Sequence, residues 1–132
     1  MAKTGADDDA IEIFRCPGAF ELTGLARKIA DSGKFDAVVC LGVVISGSTP
    51  HFDVIVNQVS RGIASIAAEA KLAVGFGVLT CDSIEQAIER AGSKAGNRGA
   101  YATMAAIEMA NLYAALAGDS QGEVPAAKSR AK

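Results

Sequence analysis

The chain contains a single histidine, His51, which follows a loop of small residues at the end of an apolar run. Residues 36–45 are rich in β-branched side chains, which is typical of a strand that helices cover on both faces. An imidazole can give or take a proton near neutral pH, so the position suits general acid–base chemistry. A capping or solvated histidine is the alternative interpretation. Position favours catalysis, because open α/β sheets bind ligands beyond the carboxyl ends of their strands.

The loop before His51 offers hydrogen-bond donors to an anion. Residues 47–49 (GST) place small side chains and accessible backbone N–H groups ahead of a helix that we expect to start near Pro50 or Phe52. Unpaired amides and the helix dipole both favour negative charge at such a start. The pattern therefore indicates an anion-binding loop beside a proton-transfer residue.

A second candidate for anion binding lies at residues 91–99. Three glycines stand there among Ser93, Lys94, Asn97 and Arg98. This composition predicts a flexible cationic loop that suits an anionic ligand, although a solvated connection has the same composition.

Strands and helices alternate along the rest of the chain. Apolar periodicity and capping residues predict strands at 11–16, 36–45 and 73–80, and helices at 19–32, 52–70, 84–90 and 99–116. Gly33 is expected to cap the first helix, and Asp82 or Ser83 the third, with Glu85 or Gln86 completing a capping box. This order favours the α/β class, a three-layer α/β/α sandwich with a parallel sheet.

Two features of the later elements indicate close packing. Gly75 and Gly77 flank Phe76, which suggests that another group approaches the strand closely, and Phe76 is either a core residue or a ligand contact. The last helix is apolar over much of its circumference, so we expect contacts on more than one side, a subunit interface among them.

Composition narrows the class of protein. A chain of 132 residues forms one domain, and a net charge of −2 without basic blocks argues against nucleic acid as a partner. The apolar strand is too short to span a bilayer, so no membrane partner is expected. Cys16, Cys40 and Cys81 have no CxxC spacing, which indicates reduced thiols of a cytoplasmic protein. One histidine without a cysteine cluster gives too few ligands for a zinc site.

Four stretches are together specific for a known family: PGAFE at 17–21, LGVVISGSTPHFD at 41–53, FGVLT at 76–80 and IEQAIERAGSKAGNRG at 84–99. In order and spacing, residues 11–116 resemble the 6,7-dimethyl-8-ribityllumazine synthase family. The resemblance implies a flavodoxin-like fold of lumazine synthase type. It also implies the condensation of 5-amino-6-(D-ribitylamino)uracil with 3,4-dihydroxy-2-butanone 4-phosphate in riboflavin biosynthesis, which releases phosphate and water. No metal and no organic cofactor is implied.

The resemblance assigns roles to residues by position. It implies that His51 is the general acid and base, that Ser48 and Thr49 hold the butanone phosphate, and that Arg90 meets the phosphate charge with its planar fork. Lys94 and Arg98 are implied as further residues on the phosphate side. The pocket for the pyrimidine and ribityl groups is implied to be lined by Ala19, Phe20, Glu21, Val43, Val44 and Ile45.

The resemblance also implies self-association. Sites of this family lie between the protomers of a pentamer, so Phe76 and Arg90 would reach the site of a neighbouring subunit. Such pentamers occur alone, in pairs, or as twelve in an icosahedral shell.

The sequence departs from the family in two places. The family has a further strand, turn and helix ahead of the equivalent of Ile11, and that strand lies centrally, between the strands at 11–16 and 36–45. Without it, backbone groups are left unpaired. We expect that the 11–16 strand moves inward, that another chain supplies the strand, or that the isolated protein is only marginally stable. Ser46 stands where the family has a basic residue, which weakens attraction for an anion.

Three functions are compatible with these observations. The first is lumazine synthesis by a domain that we expect at 11–117, between a polar lead-in at 1–10 and a disordered tail at 118–132. The first alternative is a truncated or engineered descendant that acts mainly as an assembling scaffold with little activity. The second is a flavin or lumazine binding module, which would not require His51.

Overall fold

The computed structural model describes residues 8–46, 50–92 and 96–118. Its elements in chain order are α1 (Leu22–Ser32), β1 (Ala37–Ile45), α2 (His51–Glu69), β2 (Ala73–Cys81), α3 (Ile84–Arg90) and α4 (Arg98–Leu116), with a short 3₁₀ turn at Ala19–Glu21 before α1. The expectations for Gly47, Ser48, Thr49, Lys94, most of the lead-in and the tail from residue 119 lie outside the described residues.

β1 and β2 form a parallel pair in which Ala37 lies opposite Ala73 and Ile45 opposite Cys81. One face of the pair packs on α1 and α2, where the core joins Ala26, Cys40, Val59, Ile63, Ile66 and Val78. The other face lies under α4. Helices on both faces of a parallel sheet make the three-layer α/β sandwich that the sequence predicts.

The contact between β2 and α4 depends on glycine. A Cβ atom at Gly75 would overlap the carbonyl oxygen of Ala102, and one at Gly77 would lie 2.7 Å from the Cδ2 atom of Leu41. The backbone of α4 therefore rests almost directly on β2. This confirms the close approach predicted from the two glycines. The approaching group is the backbone of α4 at Gly75, and the side chains of Leu41 and Ala102 at Gly77.

Helix ends follow local sequence signals. Gly33 adopts a left-handed φ of 70° after α1, as predicted for its cap. The Ser83 hydroxyl accepts a hydrogen bond from the Gln86 N–H at 3.2 Å, and the Gln86 side-chain oxygen accepts one from the Asp82 N–H at 2.9 Å. The predicted start of α3 is therefore confirmed, with its first turn fixed from both sides of the cap.

The strand predicted at residues 11–16 is wrong. These residues form no strand in the structure. Phe14 instead meets Phe35 edge to face at 5.9 Å, and the Cys16 thiol donates to the Gly18 carbonyl at 3.4 Å. A strand requires a neighbour with which to pair, and within the described residues β1 pairs with β2 alone. The expected inward move of this segment therefore does not occur.

α4 turns its small residues to the sheet. Ala102 and Ala106 are buried, while Tyr101, Met104 and Leu116 are exposed. The second contacting side predicted for this helix is thus not filled by the described part of the chain. Among the helices that the structure describes, none has both the length and the apolar character needed to cross a membrane.

Candidate functional site

The carboxyl ends of the two strands form one edge. The Ser46 N–H donates to the Cys81 carbonyl at 2.8 Å, which carries the pairing one residue past Ile45. Beyond this edge one segment leads to His51, the first residue of α2, and the other to Ser83, which caps α3. Both helices therefore begin on the side of the sheet where open α/β folds bind ligands.

His51 is exposed at the start of α2, directly after Pro50. The first backbone N–H groups of a helix have no carbonyl one turn earlier to bond with, so such an end favours an anion. Here the Asp53 N–H already donates to the Pro50 carbonyl at 3.1 Å. Proline is compatible with such a start because its missing N–H costs no helical hydrogen bond. An exposed imidazole thus lies at the amino-terminal end of a helix, where the dipole favours negative charge and where Asp53 already supplies one carboxylate. The other predicted phosphate contacts of this loop, Ser48 and Thr49, lie outside the described residues.

A cavity of about 620 Å³ lies between the start of α1 and the middle of α2. Phe20 and Glu21 line one side, and Gln58 and Arg61 the other. The helices meet closely beside it, since a Cβ atom on Gly62 would overlap the side chain of Thr23. A ring, a carboxylate, an amide and a guanidinium together can stack on a planar ligand and hydrogen-bond to its hydroxyls.

Gln58 and Arg61 were not predicted as site residues. Their spacing of three residues puts them on the same side of a helix, away from Val59 and Ile63, which are buried. The sequence predicts this exposed face of α2 but not the residues that lie across from it. Phe20 and Glu21 come to lie opposite Gln58 and Arg61 only because α1 crosses α2.

The remaining residues predicted for the ring pocket do not line this cavity. Ala19 and Val44 pack against the core, whereas Val43 and Ile45 are exposed on the opposite face of β1. Successive side chains of a strand alternate between faces, so three consecutive residues cannot all face one pocket.

The Arg90 side chain contacts the end of β2. Its Nη1 atom donates to the Thr80 carbonyl at 3.2 Å and lies 3.7 Å from the Cys81 sulfur. Arg98 is exposed at the start of α4. Within the described residues, an ion pair forms between Arg27 and Glu69 at 3.7 Å. Neither Arg90 nor Arg98 contacts a carboxylate there, so no carboxylate in this part of the chain neutralises either guanidinium group.

Phe76 lies in the middle of β2 and is 47% exposed. It lines neither the cavity beside α2 nor a second cavity of about 800 Å³, which includes Asp36 and Lys71 and none of the predicted site residues. A large aromatic ring exposed to this degree is available for a contact outside its own chain.

Comparison with known proteins identifies related sequences. The sequence model of the family described as 6,7-dimethyl-8-ribityllumazine synthase matches residues 1–114. A protein of that name from Chlorobaculum tepidum is 58% identical over 113 residues, which cover 86% of this chain and 73% of the relative. Proteins of the same name from Pelodictyon phaeoclathratiforme and Desulfotalea psychrophila are 55% identical over 113 residues and 56% identical over 116 residues. These matches cover 86% and 88% of this chain, and 73% and 75% of the relatives.

Proposed function

The chain belongs to the 6,7-dimethyl-8-ribityllumazine synthase family, and we propose that it carries out the family's condensation at the carboxyl edge of its sheet. The reaction joins 5-amino-6-(D-ribitylamino)uracil to 3,4-dihydroxy-2-butanone 4-phosphate and releases phosphate and water. The observation that carries the proposal is the position of His51, which is exposed at the start of α2, just beyond the carboxyl end of β1.

The chemistry requires several proton transfers near one oriented pair of substrates. The amine attacks the ketone and forms a C–N bond, and loss of water then gives an imine. Elimination of phosphate follows and leaves an enol, which tautomerises to a new ketone. The ribitylamino nitrogen attacks this carbonyl, and loss of a second water completes the ring. In this mechanism His51 donates and accepts these protons, and holding the two substrates together supplies much of the acceleration.

Cationic and hydroxyl groups hold the phosphate in this proposal. Arg90 and Arg98 contact no carboxylate within the described residues, so their charge can be used by the ligand. A planar guanidinium binds a phosphate through two parallel hydrogen bonds. Ser48, Thr49 and Lys94 complete the phosphate side by position in the sequence.

The ribitylaminouracil occupies the cavity beside α2. The Phe20 ring, which is 56% exposed, stacks on the pyrimidine, and Glu21 accepts hydrogen bonds from the ribityl hydroxyls. Gln58 and Arg61 supply donors from the opposite wall. The other predicted pocket residues contribute backbone groups that frame this end of the sheet: Ala19, Val43, Val44 and Ile45.

Copies of the chain associate as pentamers in the cytoplasm, with each site shared between neighbours. Phe76 and Arg90 of one copy complete the site that contains His51 of the next. Support comes from the exposed ring of Phe76 and from the apolar side chains of Leu41 and Met104, which monomeric proteins seldom leave uncovered together. The free thiols of the chain agree with a reducing compartment.

The test is to mix both substrates with the purified chain and to record lumazine absorbance and released phosphate together. We expect equal amounts of the two products, formed faster than without protein, and none when either substrate is omitted. A rate equal to that of the protein-free mixture would refute the proposed function.

A further inference from the structure

Cys81 is the last residue of β2 and is 2% exposed. Its carbonyl accepts the Ser46 N–H at 2.8 Å, and its backbone lies opposite Ile45 in the parallel pair. A hydrogen bond from the neighbouring strand therefore holds the backbone to which the sulfur is attached. The sulfur stays in place when the Arg90 side chain moves, so it acts as a fixed point.

Arg90 reaches this fixed point from the last turn of α3. Its Nη1 atom lies 3.7 Å from the Cys81 sulfur, within the range of an N–H···S hydrogen bond, and 3.2 Å from the Thr80 carbonyl. A thiol sulfur is a weak acceptor, but this donor is charged, which strengthens the contact. Two acceptors on consecutive residues thus fix one corner of the guanidinium.

The rest of the guanidinium is left free. Both contacts use Nη1, and the structure gives Nε and Nη2 no partner in the described residues. A planar group held at one corner presents its opposite edge in a defined direction, which is what two parallel hydrogen bonds to a phosphate require.

From this arrangement we propose that Cys81 is a positioning residue, whose sulfur orients Arg90 toward the phosphate group of the butanone substrate. The proposal rests on the phosphate-binding role given to Arg90 above. Cys81 itself touches no substrate. It lowers the freedom that Arg90 would otherwise lose on binding, and so it affects the affinity for the phosphate-bearing substrate alone.

The matched pair Cys81→Ala and Cys81→Ser separates the acceptor from the volume of the side chain, because the two variants differ by one hydroxyl. We expect Cys81→Ala to raise KM for the butanone phosphate about five-fold, the effect of one modest hydrogen bond, with KM for ribitylaminouracil unchanged. The serine variant should restore KM to within about two-fold of the original value, because its hydroxyl accepts from Arg90. Equal effects of the two variants, or equal effects on both KM values, would overturn the proposal.

A double-mutant cycle excludes a merely structural role. In an Arg90→Gln background, Cys81→Ala should change KM no further, because the group that it positions has gone. A persisting effect would show that the sulfur stabilises the fold instead.

Titration with inorganic phosphate separates this inference from the proposed function. If the chain makes no lumazine but binds phosphate through Arg90, and the alanine variant weakens that binding about five-fold, the positioning role stands while the enzymatic role fails.

Discussion

The backbone N–H of Ser46 lies 2.8 Å from the carbonyl oxygen of Cys81, and this hydrogen bond joins the ends of the two strands. On one side the chain continues to His51 and on the other to Arg90. The relative position of the proton-transfer residue and the phosphate-binding residue within one chain thus depends on the parallel register, in which nine residue pairs from Ala37 and Ala73 onward are matched.

Stability depends on the space at Gly75. We expect Gly75→Ala to lower the free energy of unfolding by about 2–3 kcal/mol, because the new Cβ atom would overlap the Ala102 carbonyl of α4. Gly24→Ala is the matched control, since no atom lies within 4 Å of its Cβ position, and a helical alanine should stabilise by about 0.5–1 kcal/mol. Urea denaturation of both variants measures the difference. Equal stability of the two would contradict the packing of α4 on β2.

The stability of the chain should fall in alkaline solution through Cys40. Burial, and to a lesser degree the nearby Cys16 thiol, raises the pKa of Cys40 from 9.0 to about 11. Below pH 9 the thiol is protonated in both states. Between pH 9 and 11 the unfolded chain releases this proton while the folded chain keeps it, so unfolding becomes more favourable by about 2 kcal/mol.

Cys40→Val isolates this effect, because it removes the titrating group and leaves an apolar side chain in the core. The free energy of unfolding of the variant should fall less than that of the original chain from pH 9 to pH 11. Parallel curves would mean that Cys40 titrates alike in the folded and unfolded states.

The cavity beside α2 predicts which substrate depends on Phe20. Phe20→Ala should raise KM for ribitylaminouracil about five-fold, the loss of one aromatic contact, and leave KM for the butanone phosphate as it was. Because the ring is largely exposed, the free energy of unfolding should change by less than about 0.5 kcal/mol. An effect confined to the phosphate substrate would place the pyrimidine elsewhere.

A site shared between copies predicts complementation. At a low concentration of butanone phosphate, where Arg90→Gln is limited by its raised KM, His51→Ala and Arg90→Gln should each keep only a small fraction of the original rate. When the two are unfolded together and refolded as mixed oligomers, about a quarter of the interfaces combine an intact histidine with an intact arginine, so about a quarter of the original activity should return. Mixed oligomers without any recovery would indicate that both residues must come from the same chain.

Local signals in the sequence predict most of the fold. Periodicity and capping predict the positions of β1, α2, β2 and α3. These signals are local: Gly33 after α1 and the Ser83 hydroxyl before α3 each act within a few residues. The strand expected at 11–16 failed because pairing depends on a distant partner that alternation of side chains cannot supply.

The site could be predicted only in part, for the same reason. The position of His51 follows from an apolar strand that runs into a helix start. The contact of Arg90 with Thr80 and Cys81, and the cavity between Phe20 and Arg61, arise where separate elements meet. The roles of the residues in the condensation came from the resemblance of whole motifs to a family, since no single spacing in the chain specifies that reaction.

The most direct test of the account compares initial rates of lumazine formation by the chain and by His51→Gln, with both substrates saturating and the protein-free rate subtracted. Removal of a proton-transfer group should lower the rate by about 100-fold or more, while the free energy of unfolding stays within about 0.5 kcal/mol because the side chain is exposed. Equal rates for the two proteins would contradict the role of His51 and, with it, the placement of the chemistry at this edge of the sheet.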